Sequence, residues 1–480
     1  MTDPRPFFVA GRPETGARSL DVRHPYDDSL VTTVSVPDAA QVEAAVAAAH
    51  AAAPAAARLS IAERADALML VSARLAERTE EVARLITAEN GKPITWARSE
   101  ATRASATFRW AAEEVRRDGG ELLRLDTEAA GAGRAAIVRR FPRGPVLAIA
   151  PFNFPLNLVA HKVAPALAVG APVIVKPAPA TPLSSLLLGE LLAETELPDG
   201  MWSVLPVPNE EMPDLVADPR LPVITFTGSG PVGYSILDAV PRKHVTLELG
   251  GNAAAVVTAD WSSDADLDLA ARKIATFATY QAGQSCISVQ RVLVDRSVHD
   301  RLLERVVAAM QALVTGDPSD DATTVGPMVD ERAARRVEEW VDEAVAAGAK
   351  VLTGGVRSGS SYAPTVLVDV PADARCTTEE LFGPVLTVTP FDTVDEAFAM
   401  VNDSRFGLQA GVFTHDLQTA FAAHRELEVG GVVIGDVPTV RSEQMPYGGA
   451  KESGVGREGL RYAMDDYTYE RVLVLTGLAL

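Results

Sequence analysis

The stretch PVLAIAPFNFPLNLVAHKVAPALAVGAPVIVKP, residues 145–177, contains the repeating unit that indicates the fold. Two short apolar runs, 145–152 and 172–177, enclose a helical segment that closes on Gly170. Three further apolar runs follow, with helical segments between them: WSVLPV (202–207), PVITFTG (222–228) and HVTLELGG (244–251). Strands that alternate with helices predict a parallel, doubly wound α/β sheet of the dinucleotide-binding kind. In such sheets, ligands bind beyond the carboxyl ends of the strands.

The flanking regions predict helices and a second α/β domain. Residues 38–119 are rich in Ala and Leu, with apolar positions at three- and four-residue spacing, which is typical of helices. Residues 252–435 alternate between strand-like and helical segments again. The strands expected there are AAAVV (253–257), SVQRVLVD (288–295), KVLTGG (350–355), YAPTVLVDV (362–370) and GPVLTVTPF (383–391).

Two segments fit neither domain. Residues 124–143 look like a hairpin with a glycine turn, and the tail YTYERVLVLTGLAL (467–480) is a strand rich in Val and Leu. An exposed apolar strand promotes aggregation unless something pairs with it. We therefore expect the two segments to form one small interface sheet in a homodimer or homotetramer. The alternative, that the tail pairs within its own subunit, stays open.

Composition indicates a soluble enzyme of more than one domain. The 480 residues are 47% hydrophobic and 22% charged, and 44 basic against 64 acidic residues give a formal charge of −20. An acidic surface repels nucleic acid and anionic membranes. Two cysteines, Cys286 and Cys376, provide neither a disulfide framework nor a zinc cluster. With no secretory signal and no bilayer-spanning stretch recognisable, we expect a cytoplasmic enzyme without a metal.

Polar residues stand where the predicted strands end. Asn153 follows the first strand, Lys176 ends the second, and Thr227, Gly228 and Ser229 end the fourth and open the next helix. An Asn amide is a good donor to an oxyanion, and a lysine or a helix N-terminus suits ribose and phosphate oxygens. Taken singly, each is better explained as a turn residue, a surface lysine or a helix cap, but three such residues along one sheet edge favour a site.

A glutamate and a cysteine complete the set of candidates. Glu248 lies in the apolar strand VTLELGG, where burial would raise its pKa and make it a better base near neutrality. The alternative is a glutamate paired with an arginine. Cys286 lies in QAGQSCISVQ, and most buried cysteines act only as small hydrophobic residues. Cys376 lies in no motif, so we interpret it as structural.

Seven segments in order resemble the aldehyde dehydrogenase superfamily across essentially the whole chain. They are PFNFP, with Phe152 where the family has tryptophan, VKPA, FTGS, LELGGN, GQSC, EELFGPV (379–385) and PYGGAKESGVGREG (446–459). The resemblance implies the family fold: a Rossmann-type cofactor domain (1–123 and 144–249), an α/β catalytic domain (250–440) and a small β oligomerisation arm (124–143 and 463–480).

The resemblance also implies roles for individual residues. Cys286 would be the nucleophile, Asn153 and the backbone N–H of Cys286 would hold the oxyanion, and Glu248 would activate the water that hydrolyses the thioester. The cofactor would be NAD or NADP. Its matching contacts are Lys176, Gly228 and Ser229 at the ribose and phosphates, Glu380 and Phe382 at the nicotinamide ribose and ring, Thr227 beside the ring, and Ile149 and Phe152 lining the cleft.

Cofactor and substrate preferences are less defined. Pro179 stands where NAD-preferring members often carry a glutamate, so both cofactors stay open. Several stretches look most like the group of lactaldehyde, sulfolactaldehyde and phosphonoformaldehyde dehydrogenases, with the non-phosphorylating glyceraldehyde-3-phosphate enzymes as relatives. We therefore expect a small anionic aldehyde, anchored by Arg103 and Arg441, because a guanidinium offers a planar fork to acidic oxygens. Alternatively, Arg103 is a surface residue paired with Glu100 or with residues 113–114.

Three other functions remain open at this point. One is a general aldehyde or semialdehyde dehydrogenase for neutral or carboxylate substrates. Another is a thiol hydrolase, which needs a histidine beside Cys286, although none of the seven histidines lies in a strand-end motif. The third is a non-catalytic relative, against which the joint presence of Cys286, Glu248 and Asn153 argues.

Overall fold

The structure, a computed structural model, describes residues 3–478, and its first sheet confirms the parallel, doubly wound arrangement. The five strands expected between residues 145 and 251 are all present and parallel. Antiparallel strands flank them on both sides. In spatial order the sheet contains Arg12–Glu14, Phe7–Val9, Trp202–Val204, Val173–Lys176, Val146–Ile149, Val223–Thr227, His244–Glu248 and Gly454–Val455.

Helices cover this sheet and share its hydrophobic core. Residues 38–119 are helical, as expected, and the second of these helices begins with a capping box between Ser60 and Glu63. The helices of this half are Ala39–Ala56, Ile61–Glu77, Thr79–Asn90, Ile94–Arg117, Asn157–Ala168, Leu183–Leu192, Met212–Ala217 and Gly230–Ala239. Before them, the strands Arg18–Arg23 and Leu30–Val36 form a hairpin that the sequence did not indicate.

The second sheet has seven strands and is parallel except at its first pair. Its spatial order is Lys350–Thr353, Thr365–Val368, Val385–Phe391, Arg291–Asp295, Ala254–Val257, Gln409–Phe413 and Gly431–Ile434. The last two strands were not among those expected, because glycines interrupt their apolar pattern. Its helices are Asp264–Thr279, His299–Gln311, Glu331–Ala346, Arg375–Thr378, Val394–Asn402 and Leu417–Glu426.

The remaining elements include a three-stranded antiparallel sheet at the end of the chain. Strand Thr468–Thr476 pairs along its whole length with Arg134–Pro142, which also pairs with Glu121–Arg124. The two segments therefore form one sheet, as expected, and they pair within one chain, which was the open alternative. Among residues 3–478, no strand pairs with the other edge of Thr468–Thr476. Helix Leu460–Asp466 precedes it. Residues 1–2 and 479–480 of the predicted cofactor domain and arm lie outside the described residues.

Two features of residues 3–478 concern membranes and metals. No helix there is long and apolar enough to cross a membrane. Within the same residues, no group of three or more His, Cys, Asp or Glu side chains is placed to hold a metal ion.

Candidate active site

The predicted site begins at one edge of the first sheet. Ile149 pairs with Lys176 on one side and with Phe226 on the other, and Thr227 pairs with Glu248. Because all these strands are parallel, their carboxyl ends meet at the same edge. The structure thus brings together four residues that the sequence had placed at separate strand ends.

Cys286 reaches this edge through a tight, unusual turn. Gln281 and Ala282 adopt positive φ angles of 54° and 52°, which non-glycine residues rarely do. Gly283 follows at φ 71°, and a Cβ there would lie 2.0 Å from the carbonyl oxygen of Gly383. Such strain concentrates at functional sites. The turn leaves Cys286 only half-buried.

Two hydrogen-bond donors stand next to the cysteine. The side-chain amide of Asn153 donates to the backbone carbonyl of Gln284 at 2.9 Å, two residues before Cys286, and its second hydrogen has no acceptor in residues 3–478. Among residues 3–478, the backbone N–H of Cys286 has no acceptor. The remaining N–H of the Asn153 amide and the backbone N–H of Cys286 are donors of the kind that an oxyanion requires.

A buried ion pair fixes the segment that carries Asn153. The ammonium of Lys92 donates to the backbone carbonyl of Asn153 at 2.9 Å and pairs with Glu100. Glu100 in turn accepts from the backbone N–H groups of Leu156 (3.0 Å) and Asn157 (3.1 Å), where the next helix begins. Sequence reasoning missed this pair, because neither residue stands at a strand end.

Glu248 is a buried carboxylate without a partner. Neither of its oxygens forms a hydrogen bond with any group in residues 3–478, so the alternative of an arginine-paired glutamate is wrong. Burial, reinforced by the charge of Glu458, raises the pKa of Glu248 well above its usual value, although Arg441 opposes the shift. A Cβ on Gly448 would lie 3.0 Å from Oε1, so this glycine keeps space beside the carboxylate.

The sulfur of Cys286 lies 2.9 Å from the hydroxyl of Tyr447. Burial raises the pKa of the Cys286 thiol to about 12, while the hydrogen bond to Tyr447 acts in the opposite direction. The guanidinium of Arg441 lies 3.8 Å from the centroid of the Tyr447 ring. Tyr447 belongs to the segment PYGG, which the sequence analysis had recognised without assigning this residue a role.

The residues expected to hold the adenosine side of the cofactor line the same sheet edge. Lys176 contacts the Asn209 side chain, and burial lowers the pKa of Lys176 to about 8. Ser229 is exposed at the N-terminus of helix Gly230–Ala239, and its hydroxyl caps no N–H group of that helix. A cation and an open helix N-terminus at the same sheet edge fit ribose and phosphate oxygens, so these residues suit NAD or NADP.

The residues expected at the nicotinamide side also converge. Glu380 Oε1 accepts from the backbone N–H of Gly251 at 3.1 Å, directly after the strand of Glu248. A Cβ on Gly250 would lie 2.3 Å from the Glu380 carboxylate, so only glycine allows this approach. Phe382, at φ 51°, meets Phe152 edge to face with ring centroids 6.0 Å apart.

Thr227, Gly228 and Glu380 were also expected at the cofactor cleft. The Thr227 hydroxyl lies 3.4 Å from Glu458 Oε1. A Cβ on Gly228 would lie 2.6 Å from the ring of Phe226, so the loop depends on glycine there. Burial raises the pKa of Glu380 to about 7.

Arg103 is paired, but not with the partners expected from the sequence. Its Nε donates to Glu443 Oε1 at 2.6 Å, while Glu100 faces Lys92 instead. The guanidinium also interacts with the Tyr280 hydroxyl, and 28% of the Arg103 side chain is exposed. Glu443 Oε2 also meets His161 Nε2 at 2.5 Å. Burial raises the Glu443 pKa, but His161 and Arg103 outweigh burial and hold it well below its usual range.

Arg441, the second expected anchor, is enclosed by the protein. Only 7% of its side chain is exposed, and its Nη2 donates to Glu458 Oε2 at 2.9 Å. Its Nε and Nη1 form no hydrogen bond with the described part of the chain. Glu458 is also bonded to Lys162 at 2.9 Å. Cys376 is buried in a hydrophobic cluster, which agrees with a structural role.

The fold and this site define a class of protein, and comparisons with known proteins identify it. The model of the aldehyde dehydrogenase family matches residues 12–473, so the chain belongs to that family. A curated relative, 3-sulfolactaldehyde dehydrogenase of Priestia aryabhattai, is 41% identical over 98% of this chain and 97% of its own. The expected family and fold are confirmed, as is the expected enzyme class, an NAD(P)-dependent aldehyde dehydrogenase.

Two solved structures are similar over nearly the full length. Aldehyde dehydrogenase 21 from Physcomitrella patens, solved with the reaction product succinate, is 45% identical, covers 100% of both chains and has a TM-score of 0.97. Glyceraldehyde-3-phosphate dehydrogenase from Methanocaldococcus jannaschii, solved with NADP, is 33% identical. That match covers 96% of this chain and 100% of the other, with a TM-score of 0.91.

Proposed function

We propose that this aldehyde dehydrogenase oxidises a small aldehyde carrying an acidic group to the carboxylic acid, with Cys286 as its nucleophile. The observation that carries the proposal is the pair of arginines at the site. The Arg103 guanidinium is partly exposed, and Arg441 lies against the tyrosine that touches the cysteine sulfur. Guanidinium groups with free N–H donors bind carboxylate, sulfonate or phosphate oxygens.

The first chemical step would be addition of the Cys286 sulfur to the aldehyde carbon. The S–C bond forms while the carbonyl electron pair moves to oxygen. Asn153 and the backbone N–H of Cys286 would hold that oxyanion, and removing one such donor typically costs roughly 3–4 kcal/mol of barrier. As the C=O bond re-forms, the adduct carbon would lose its hydrogen as hydride to bound NAD(P)+, which leaves a thioester on Cys286. Lys176 and Ser229 would hold its ribose and phosphates, and Glu380, Phe382 and Phe152 would orient the nicotinamide end.

Glu248 would complete the reaction. Its unpartnered carboxylate, with a raised pKa, would take a proton from water so that the hydroxide attacks the thioester and releases Cys286. The same carboxylate would also accept the thiol proton at the start. A glutamate that activates water favours release of a free acid over transfer of the acyl group to coenzyme A.

The substrate class draws support from the relatives as well as from the arginines. The names of the similar proteins specify a sulfonated aldehyde in one case and a dicarboxylate product in another. Both molecules carry an anionic group in addition to the reacting carbon. A carboxylate semialdehyde is therefore the second candidate, and the succinate-bound relative favours it.

An Arg103→Ala variant tests the anchor. It should be assayed on short aldehydes that end in sulfonate, carboxylate, phosphate or a neutral group, with NAD and with NADP. We expect kcat/KM to fall about tenfold to a hundredfold on the anionic aldehydes, the usual range for a charged hydrogen bond, and little on the neutral one. Arg109→Ala, on the same helix, is the matched control. Equal losses on all substrates would refute the anchoring role.

We also propose that the chain forms a homo-oligomer through its three-stranded sheet. The edge strand Thr468–Thr476 carries Val472, Leu473 and Val474, each at least half-exposed (50–57%). Leu122 and Leu123 in the opposite edge strand are exposed too. Contiguous exposed apolar residues on an unpaired edge are typical of a surface that a second copy covers.

A further inference from the structure

The hydroxyl of Tyr447 makes the closest polar contact to the reactive sulfur. The Oη–Sγ distance is 2.9 Å, and Cys286 is the only hydrogen-bond partner of this hydroxyl in residues 3–478. The side chain is buried, and its ring packs with Ile287 and Leu408. A buried hydroxyl whose single partner is the nucleophile is placed to act on that nucleophile.

We infer that Tyr447 is a further catalytic residue, which donates its phenolic hydrogen to the sulfur of Cys286 while that sulfur carries negative charge. This inference rests on the proposed role of Cys286 as the nucleophile. Burial raises the pKa of the tyrosine well above its usual value, so the phenol keeps its hydrogen over the working pH range. Hydrogen bonds to charged acceptors are stronger than those between neutral groups. The contact therefore favours the thiolate over the thiol.

The charged groups around the sulfur oppose formation of the thiolate, which a hydrogen-bond donor would stabilise. Glu380 and Glu248 both face Cys286, and their negative charges raise the thiol pKa in addition to the effect of burial. Arg441 is the opposing cation, and it acts on the thiol across the Tyr447 ring. A cation over an aromatic face withdraws electron density from the ring and makes the phenol a better donor.

Formation of the thiolate and its attack on the aldehyde need no further reagent. The thiol proton leaves to the Glu248 carboxylate or to water, and the Tyr447 hydrogen stays on its oxygen throughout. When the S–C bond forms, the sulfur loses its negative charge and the hydrogen bond weakens. Tyr447 would thus stabilise the attacking form without transferring a proton.

The test is the alkylation of Cys286 by iodoacetamide in the protein without substrate, followed by mass spectrometry across pH 6–10. Tyr447→Phe removes only the hydroxyl and leaves the ring beneath Arg441. The pKa of the Cys286 thiol, about 12, lies above this pH range, so a loss of thiolate appears in the rate, which we expect to fall about tenfold to a hundredfold at every pH tested. Cys376, which is buried elsewhere, is the internal control, and its rate should not change.

Two outcomes would overturn the inference. An unchanged Cys286 rate would mean that the contact does not affect the thiolate. A faster rate would mean that Tyr447 shields the thiol instead. Because alkylation needs neither aldehyde nor cofactor, its result is independent of the proposed substrate class. A Tyr467→Phe variant, which removes another buried hydroxyl, shows whether any change comes merely from loosening the fold.

Discussion

Lys92 and Glu100 form an ion pair with no solvent exposure, and this pair holds the backbone of the segment that carries Asn153. Lys92 also lies 4.0 Å from the centroid of the Phe154 ring, the residue after Asn153. This pair, remote in sequence from residue 153, thus fixes the backbone that carries the amide proposed to hold the oxyanion.

Replacing one member of this pair should destabilise the protein strongly. Removing one partner of a buried ion pair costs about 3–5 kcal/mol, since the other charge stays buried without compensation. We expect Lys92→Met and Glu100→Gln each to lower the urea midpoint of unfolding, followed by tryptophan fluorescence. Arg84→Gln, which breaks an exposed pair with Glu80, should change it little. Unfolding curves identical to wild type for both buried variants would contradict the assigned arrangement.

Cofactor binding should depend on pH through Lys176. Burial lowers its pKa to about 8, so the ammonium is charged below pH 8 and progressively neutral above it. If this charge contacts cofactor oxygens, kcat/KM for NAD(P) should decline by up to about tenfold per pH unit above pH 8. Lys176→Arg keeps the charge at all these pH values and should flatten the decline. A decline of the same steepness in both proteins would assign the pH dependence to another group.

The oligomer should dissociate when a charged side chain is introduced into its proposed interface. Leu473, 57% exposed in the edge strand, is suited to this test, and Leu473→Glu should shift the mass in analytical ultracentrifugation towards the monomer. A buried charge without a partner opposes association by several kcal/mol. Val356→Glu, at an exposed site beside the second sheet, is the control. A wild-type protein that sediments as a monomer would refute the proposal outright.

Local sequence predicted the residues that stand in recognisable motifs at strand ends. Asn153, Lys176, Thr227 and Glu248 follow apolar runs, and parallel strands bring such ends to one edge. The partners of these residues were not predictable. Glu443, for example, lies 340 positions from Arg103 and pairs with it only because the chain folds back. Glu100 seemed the nearer partner, but it is turned towards Lys92 in the interior.

Two parts of the fold escaped prediction for similar reasons. Strand Gln409–Phe413 is buried on both faces and includes Gly411, so it shows neither alternation nor a continuous apolar run. A Cβ on Gly411 would lie 2.4 Å from the carbonyl oxygen of Asp436, which explains the glycine by tertiary packing. The strands before residue 38 are short, and some of their pairing is with strands that are distant in sequence.

The central claim is that Cys286 forms the covalent intermediate and that Glu248 activates the water that hydrolyses it. The most direct measurement is a rapid-mixing record of NAD(P)H absorbance with Glu248→Gln, which removes the base and keeps the shape. We predict one equivalent of NAD(P)H per active site followed by almost no turnover, while Cys286→Ala gives no NAD(P)H at all. Sustained turnover of Glu248→Gln at a rate near wild type would contradict the account.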